Sequence, residues 1–220
     1  DVLAAFELEA LPASARDALN RVWHRLDGWP DAAEGLRALR RVGFCCALSN
    51  GNLRLMADVA RHADLAWDQI LGAEWSKAYK PEPRVYLDVA AAFMVPPERV
   101  MMVAAHNGDL EAAQALGLKT AFVRRPTEHG PGQTSDLEPT GAWDVVADDL
   151  SALARRLEAA AQPTRSLSKK TLRQGTILTL SKSPAWLNGS LAANCSAAAR
   201  SSTSMRRMLP TGVVPSSANC

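Results

Sequence analysis

Three short polar clusters stand out in the chain: Ser49-Asn50-Gly51, Lys80-Pro81 and His106-Asn107-Gly108-Asp109. Each follows or closes a segment of the kind that builds a parallel sheet. A hydroxyl with an amide, an ammonium and a carboxylate, gathered in one place, can bind an anion, neutralise developing charge and orient water. In open α/β sheets ligands sit in the crevice outside the carboxyl ends of the strands, so the three clusters would form a site if they met at one edge. Each also has a plainer reading. Ser49 and Asn50 suit a helix N-cap, and Lys80 an ordinary solvated lysine that Pro81 biases towards extended backbone. Asp109 suits a helix N-terminus, which favours negative charge. His106 can donate to an anion or to water, or serve structure alone.

Two other chemistries fit the residues poorly. A magnesium site usually takes one or two carboxylates plus substrate phosphate, and the acid nearest Asp109 is Glu111, which two places along a helix points elsewhere. Ser49 lacks the G-x-S-x-G turn of a serine nucleophile, and the chain has four histidines to supply a base.

The elements that would position these clusters follow from periodicity. Ala15–Leu26 reads as an amphipathic helix. Asp31 with Glu34 resembles a capping box opening a second helix that runs through Leu39 and stops at Gly43. Phe44–Leu48 is a buried strand, Leu53–His62 a helix, Gln69–Leu71 a brief apolar stretch, and Pro83–Met94 a helix with Pro in its first turn. Val100–Ala104 is a second strand, followed by a helix through Leu116 that Gly117 caps. Lys119–Val123 and Trp143–Ala147 are further strands on either side of a Gly/Pro-rich loop, and Asp148–Ala160 is a closing helix. This alternation predicts an α/β fold, a doubly wound parallel sheet with right-handed crossovers.

Bulk properties bound the remainder. The 220 residues allow one ordinary domain with appendages, and no apolar run reaches the length of about 18 residues that spans a bilayer. The start, Asp1-Val2-Leu3, lacks a signal-peptide pattern. Cys45 and Cys46 are strand neighbours facing opposite ways, and with Cys195 and Cys220 show no metal-ligand spacing, which points to a reducing cytoplasm. The net charge of +2 is uneven: residues 163–220 carry eight Lys or Arg and no acid, leaving 17 basic and 23 acidic side chains before them, a net of −6. From Gln162 the pattern dissolves into Ser, basic and small residues, with one apolar run at Thr176–Leu180. Too little can be buried there to offset ordering entropy. The tail is expected to be disordered or non-native, so removing residues 163–220 should leave thermal stability unaltered. A nucleic-acid-binding arm is the sharper alternative, but it lacks a motif or interleaved aromatics.

Taken together, these residues resemble the haloacid dehalogenase superfamily, in particular its type II branch, the 2-haloacid dehalogenases. The resemblance runs from about Leu3 to Leu157 and rests on an ordered set of segments. These are Leu19–Leu26 with Trp29-Pro30-Asp31, Leu48-Ser49-Asn50-Gly51-Asn52, Tyr79-Lys80-Pro81 with Val85-Tyr86, Val103–Leu110, Thr120–Val123 and Trp143–Ala147. It implies hydrolytic dehalogenation of short 2-haloalkanoic acids through an aspartyl ester, without metal or cofactor. Ser49 would bind the substrate carboxylate or the nucleophile, with Asn50 beside it. Lys80 would pair with the nucleophilic carboxylate, and Asp109 would orient or activate water. The site expected on this basis has Lys80, Asp109 and Ser49 as catalytic residues and Ser49, Asn50 and His106 as substrate-binding residues. Where some relatives carry Ser-Asn, this chain has Ala105-His106.

The resemblance also implies a D-x-[YF]-G-T segment bearing the nucleophile, for which Asp1-Val2-Leu3-Ala4-Ala5 is no substitute. The expected organisation is therefore a cap remnant over 1–28, a haloacid dehalogenase-like core over 29–161 lacking its first strand, and a tail over 162–220. As given, the chain is expected to be inactive. A phosphatase of the same superfamily and a non-catalytic remnant are the alternatives. The expected partner is a small haloacid, with neither nucleic acid nor membrane, and a homodimer is compatible with the resemblance.

Overall fold

The computed structural model describes residues 8–161 and 176–182, of which the side chains of Thr176, Ser181 and Lys182 are excepted. All of these residues belong to one compact unit, Asp1–Gly189; the second unit, Ser190–Cys220, lies outside them.

Helix α1 (Ala13–Val22) passes into a 3-10 turn at Trp23–Arg25 and is followed by α2 (Ala32–Val42). Strand β1 (Gly43–Ser49), α3 (Leu53–His62), β2 (Gln69–Leu71), the short α4 (Ala73–Ser76) and α5 (Pro83–Ala92) come next. Then follow β3 (Val100–Ala104), α6 (Asn107–Ala115), β4 (Lys119–Val123), β5 (Val145–Ala147), α7 (Leu150–Ala161) and β6 (Thr176–Lys182). The strands form one parallel sheet in the order β2-β1-β6-β3-β4-β5.

Both faces of the sheet are covered, which is why its strands read as unbroken apolar runs. On one face, Cys45, Val103, Ala121, Leu178 and Leu180 pack with Leu36 and Leu39 of α2 and Leu150 and Leu153 of α7. On the other, Cys46, Leu48, Met102, Phe122 and Ile177 pack with Val85, Tyr86 and Val89 of α5 and Leu110 of α6. The two adjacent cysteines fall on opposite faces, as strand geometry requires. Burial raises both thiols to about 12, so neither is a thiolate near neutrality.

Two expectations are corrected. Asp31 occupies the N-cap position of α2 but makes no side-chain cap bond. Its Oδ2 instead accepts from Leu150 N and from Arg125 Nη2, each at 2.8 Å, tying α2 to α7 and to the loop after β4. The second correction concerns residues 162–220. Thr176–Lys182 is a strand, and it fills the position between β1 and β3, paired in parallel with both. Ile177, Leu178, Thr179 and Leu180 are buried there, with Thr179 Oγ1 donating to Met101 O at 3.2 Å. A seven-residue strand in isolation says little in a sequence; two waiting neighbours with unpaired backbone groups make it worth ordering. The rest of the tail expectation lies outside the described residues.

Candidate active site

The plainer readings of the three polar clusters can be tested by asking which residues cap the helices. Helix α3 is capped by Asn52, whose side chain accepts from Leu55 N at 2.8 Å. Neither Ser49 nor Asn50 is spent on that duty. At the start of α6 the N-cap position is His106, whose own side chain makes no cap bond; Asp136 Oδ1 from the β4–β5 loop accepts from Asn107 N at 2.9 Å instead. Asp109 lies in the first turn of that helix, and its two oxygens are taken by side chains from elsewhere.

Those side chains are Lys80 and Tyr86. Lys80 Nζ donates to Asp109 Oδ2 at 2.6 Å, and Tyr86 Oη donates to Asp109 Oδ1 at 2.6 Å. The lysine and aspartate side chains are only 8% and 11% exposed, so this is a largely desolvated ion pair. Burial pulls Lys80 below the ordinary lysine range, and the neighbouring carboxylate opposes that shift. Burial, followed by the charge on Asp109, pushes Tyr86 well above an ordinary phenol, so it remains a donor.

Asn50 fixes Lys80 from behind. Its Oδ1 accepts from Lys80 N at 2.7 Å and its Nδ2 donates to Lys80 O at 3.2 Å, a two-point clamp on one residue's backbone. The Lys80–Pro81 peptide is cis. Ser49, 3% exposed at the end of β1, accepts from Gly51 N through Oγ at 3.0 Å. The turn it shapes is crowded: a Cβ on Gly72 would stand 2.8 Å from Gly51 O and 2.6 Å from Glu74 Oε2. A cleft of about 470 Å³ beside the turn is lined by Asn50, Gly51, Asn52, Leu55, Lys77 and Tyr79, among others.

The fold thus unites Asn50, Lys80 and Asp109 directly, and Ser49 through the turn it shares with Asn50. His106 sits one helical turn from Asp109, with Nε2 3.1 Å from Glu128 Oε2. Three further residues of the site carried no assigned role in the sequence. Tyr86 is one; a tyrosine five residues past Pro81 in an otherwise apolar helix face is a weak signal, because buried tyrosines need a partner for their hydroxyl whatever its purpose. Glu128 is another, in a loop whose path no periodicity reveals. The third is Asn107. Its Oδ1 accepts from Thr140 N and Trp143 Nε1, and its Nδ2 donates to Asp136 Oδ1 and Glu138 O, so it ties the loop between β4 and β5 to the start of α6.

A doubly wound parallel sheet carrying a desolvated lysine–aspartate pair at its carboxyl edge defines a hydrolase-like α/β site. The chain belongs to the haloacid dehalogenase-like hydrolases, whose sequence model matches residues 2–117. Among curated relatives, (S)-2-haloacid dehalogenase 1 of Pseudomonas sp. strain CBS-3 is 36% identical over 127 residues, 54% of this chain and 56% of that protein. (S)-2-Haloacid dehalogenase 4A of Burkholderia cepacia is 33% identical over 144 residues, 60% of this chain and 62% of that protein. The chain therefore spans under two thirds of either relative. The solved structure of the L-2-haloacid dehalogenase PA0810 superposes with a TM-score of 0.70 at 49% identity, covering 72% of this chain and 67% of the other. Among the described residues no helix is long and apolar enough to cross a membrane.

Proposed function

We propose that this chain carries the electrostatic half of a 2-haloacid dehalogenase site: hydrolytic removal of halide from short 2-haloalkanoic acids through an aspartyl ester. In such a reaction a carboxylate oxygen bonds to the halogen-bearing carbon while the carbon–halogen bond breaks, its electron pair leaving with the halide. Water then adds to the ester carbonyl and the acyl C–O bond breaks, which releases a 2-hydroxy acid and regenerates the carboxylate. Covalent catalysis of this kind divides a hard displacement into two easier steps. No described residue is assigned the attacking carboxylate. Ser49 and the N–H groups of its turn are assigned the substrate carboxylate, with Asn50 holding Lys80 in place. Lys80 stabilises the attacking carboxylate and the charge that develops on it, and Asp109 holds Lys80 and orients water. His106 contacts the substrate. The setting is taken to be cytoplasmic, and the assembly a homodimer, which sedimentation would test.

The observation that supports this reading most is the saturation of Asp109. With one oxygen on an ammonium and the other on a phenol, that carboxylate is a poor ligand for a divalent cation and a good anchor for a fixed positive charge. Preorganised charge of this kind acts most strongly in a dry site. The dehalogenase relatives named above point the same way. A phosphatase is the second reading, because a curated phosphatase of Mycobacterium tuberculosis is 32% identical over 145 residues.

One experiment separates the two. The protein, expressed with its genomic flanking sequence, is given 2-chloropropionate or p-nitrophenyl phosphate, each with and without EDTA. Chloride release that EDTA does not touch is expected; EDTA-sensitive phosphate release without chloride would overturn the proposal.

A further inference from the structure

Glu128 lies in the loop between β4 and β5, yet its side chain is 1% exposed. Taking a carboxylate out of water is costly unless another charge compensates it. Among the described residues neither of its oxygens has a hydrogen bond of ordinary geometry, so the compensation is electrostatic. Among the described residues, His106 lies within ion-pair distance through Nε2 at 3.1 Å. Arg125, three residues earlier, turns its Nη2 to Asp31 and lies over the Trp29 ring at 4.9 Å.

The pairing works against a local bias. His106 occupies the N-cap position of a nine-residue helix, and the positive end of a helix dipole disfavours a cation there, by roughly 0.3–1 kcal/mol. An imidazole in that place on its own would lose its proton readily. The groups around it reverse the preference. Glu128 faces it from the loop, Asp136 from the same loop, and Asp109 from the first turn of α6; the His129 ring stacks at 6.2 Å and 20°. The three carboxylates together raise His106 above the ordinary imidazole range, with Glu128 as the largest cause and burial opposing. The loop that delivers Glu128 is itself fastened to α6 through Asn107.

We infer that Glu128 is a positioning residue which keeps His106 as a cation at the start of α6, giving the carboxyl edge a second positive charge, besides Lys80, for a small anion. The inference deepens the dehalogenase reading and rests on it for the identity of that anion, a halide or a short carboxylate.

Imidazole NMR on the chain as it stands tests this without turnover. His106 is followed from pH 5 to 9 in the native protein, in Glu128→Gln and in Glu128→Asp, with bromide as the anion probe. In E128Q the His106 midpoint should fall by about one pH unit or more, a tenfold loss of proton affinity, and bromide affinity at pH 7 should fall with it. E128D should restore a large part of both. If E128Q proves unfolded, the native protein still decides, because its bromide affinity should drop as His106 deprotonates. An unchanged His106 midpoint in folded E128Q, or bromide binding indifferent to the His106 proton, would overturn the inference. So would stoichiometric capture of the His106, Glu128 and His129 signals by added zinc, which would make the cluster a metal site. A haloacid assay that fails while these titrations succeed would sink the dehalogenase reading and leave the positioning role standing.

Discussion

Among the described residues, two largely buried aspartate–cation pairs differ in what else they touch. Asp109 pairs with Lys80, their side chains 11% and 8% exposed; Asp31 pairs with Arg125, at 16% and 4%. Burial and charge alone do not tell them apart. Their remaining partners do. Asp31 Oδ2 also takes the backbone N–H of Leu150, at the start of α7, while Arg125 covers the Trp29 ring, so the pair is a clamp between two helices and a loop. Asp109 accepts from the side chains of Lys80 and Tyr86, and that lysine is gripped through its backbone by the turn at Asn50. A buried ion pair is weak evidence for a site; one whose cation is independently positioned by a second polar turn is better evidence.

In the protein expressed with its flanking sequence, Lys80→Ala should lower halide release by at least ~10²–10³-fold, the usual consequence of deleting one preorganised charge, while circular dichroism still reports the fold. Unchanged halide release would place Lys80 among the structural pairs. Asp31→Ala should show the opposite profile. Breaking a buried pair by removing one partner costs about 3–5 kcal/mol, so the urea midpoint should fall steeply, yet bromide binding in the surviving native fraction should not change.

Leu178→Ala sharpens the contrast by striking the scaffold that both pairs share. Leu178 is fully buried in β6, between β1 and β3, and the change should cost roughly 2–5 kcal/mol. A neutral result in urea denaturation would show that β6 contributes nothing to the sheet. By the same argument, removing residues 163–220 is now expected to destabilise the fold, the reverse of what the tail's composition suggests. Tyr86→Phe should have a smaller effect. A hydrogen bond to a charged group is worth about 1.5–3 kcal/mol, and its loss should relax Asp109 and reduce turnover less than Lys80→Ala does.

The smallest effect is on pH dependence. His106 lies above the free imidazole's 6.5 in the folded state. Its pairing with Glu128 is therefore fully stabilising below pH 6.5 and is lost as pH rises through the raised folded value. Urea midpoints should decline as pH rises above 6.5, and the decline should be absent in Glu128→Gln. A decline of the same size in both proteins would remove His106 as its source.

Some of this was readable in the residues. Leu53–His62, Gln69–Leu71, Val100–Ala104 and Lys119–Val123 end where their apolar periodicity and their Gly or Asn punctuation end, because those signals are local. The ordered clusters around Ser49, Lys80 and Asp109 were likewise visible, since each is a few residues of unusual chemistry at a strand end. Whether those residues cap helices or meet one another was not visible. Asn52 rather than Ser49 or Asn50 caps α3, and Asp31 reaches Arg125 and Leu150, 94 and 119 residues away, instead of closing its own helix.

The alternation of strand and helix, and hence a parallel sheet, is written in the local order of residues, because periodicity acts over distances of a few residues. Tertiary structure alone decided that Thr176–Lys182 enters the middle of that sheet, that Tyr86 holds Asp109, and that a loop glutamate disappears beneath His106. Each of those outcomes depends on a partner far along the chain that supplies the hydrogen bond or opposite charge a buried group requires, and no local pattern records where that partner is.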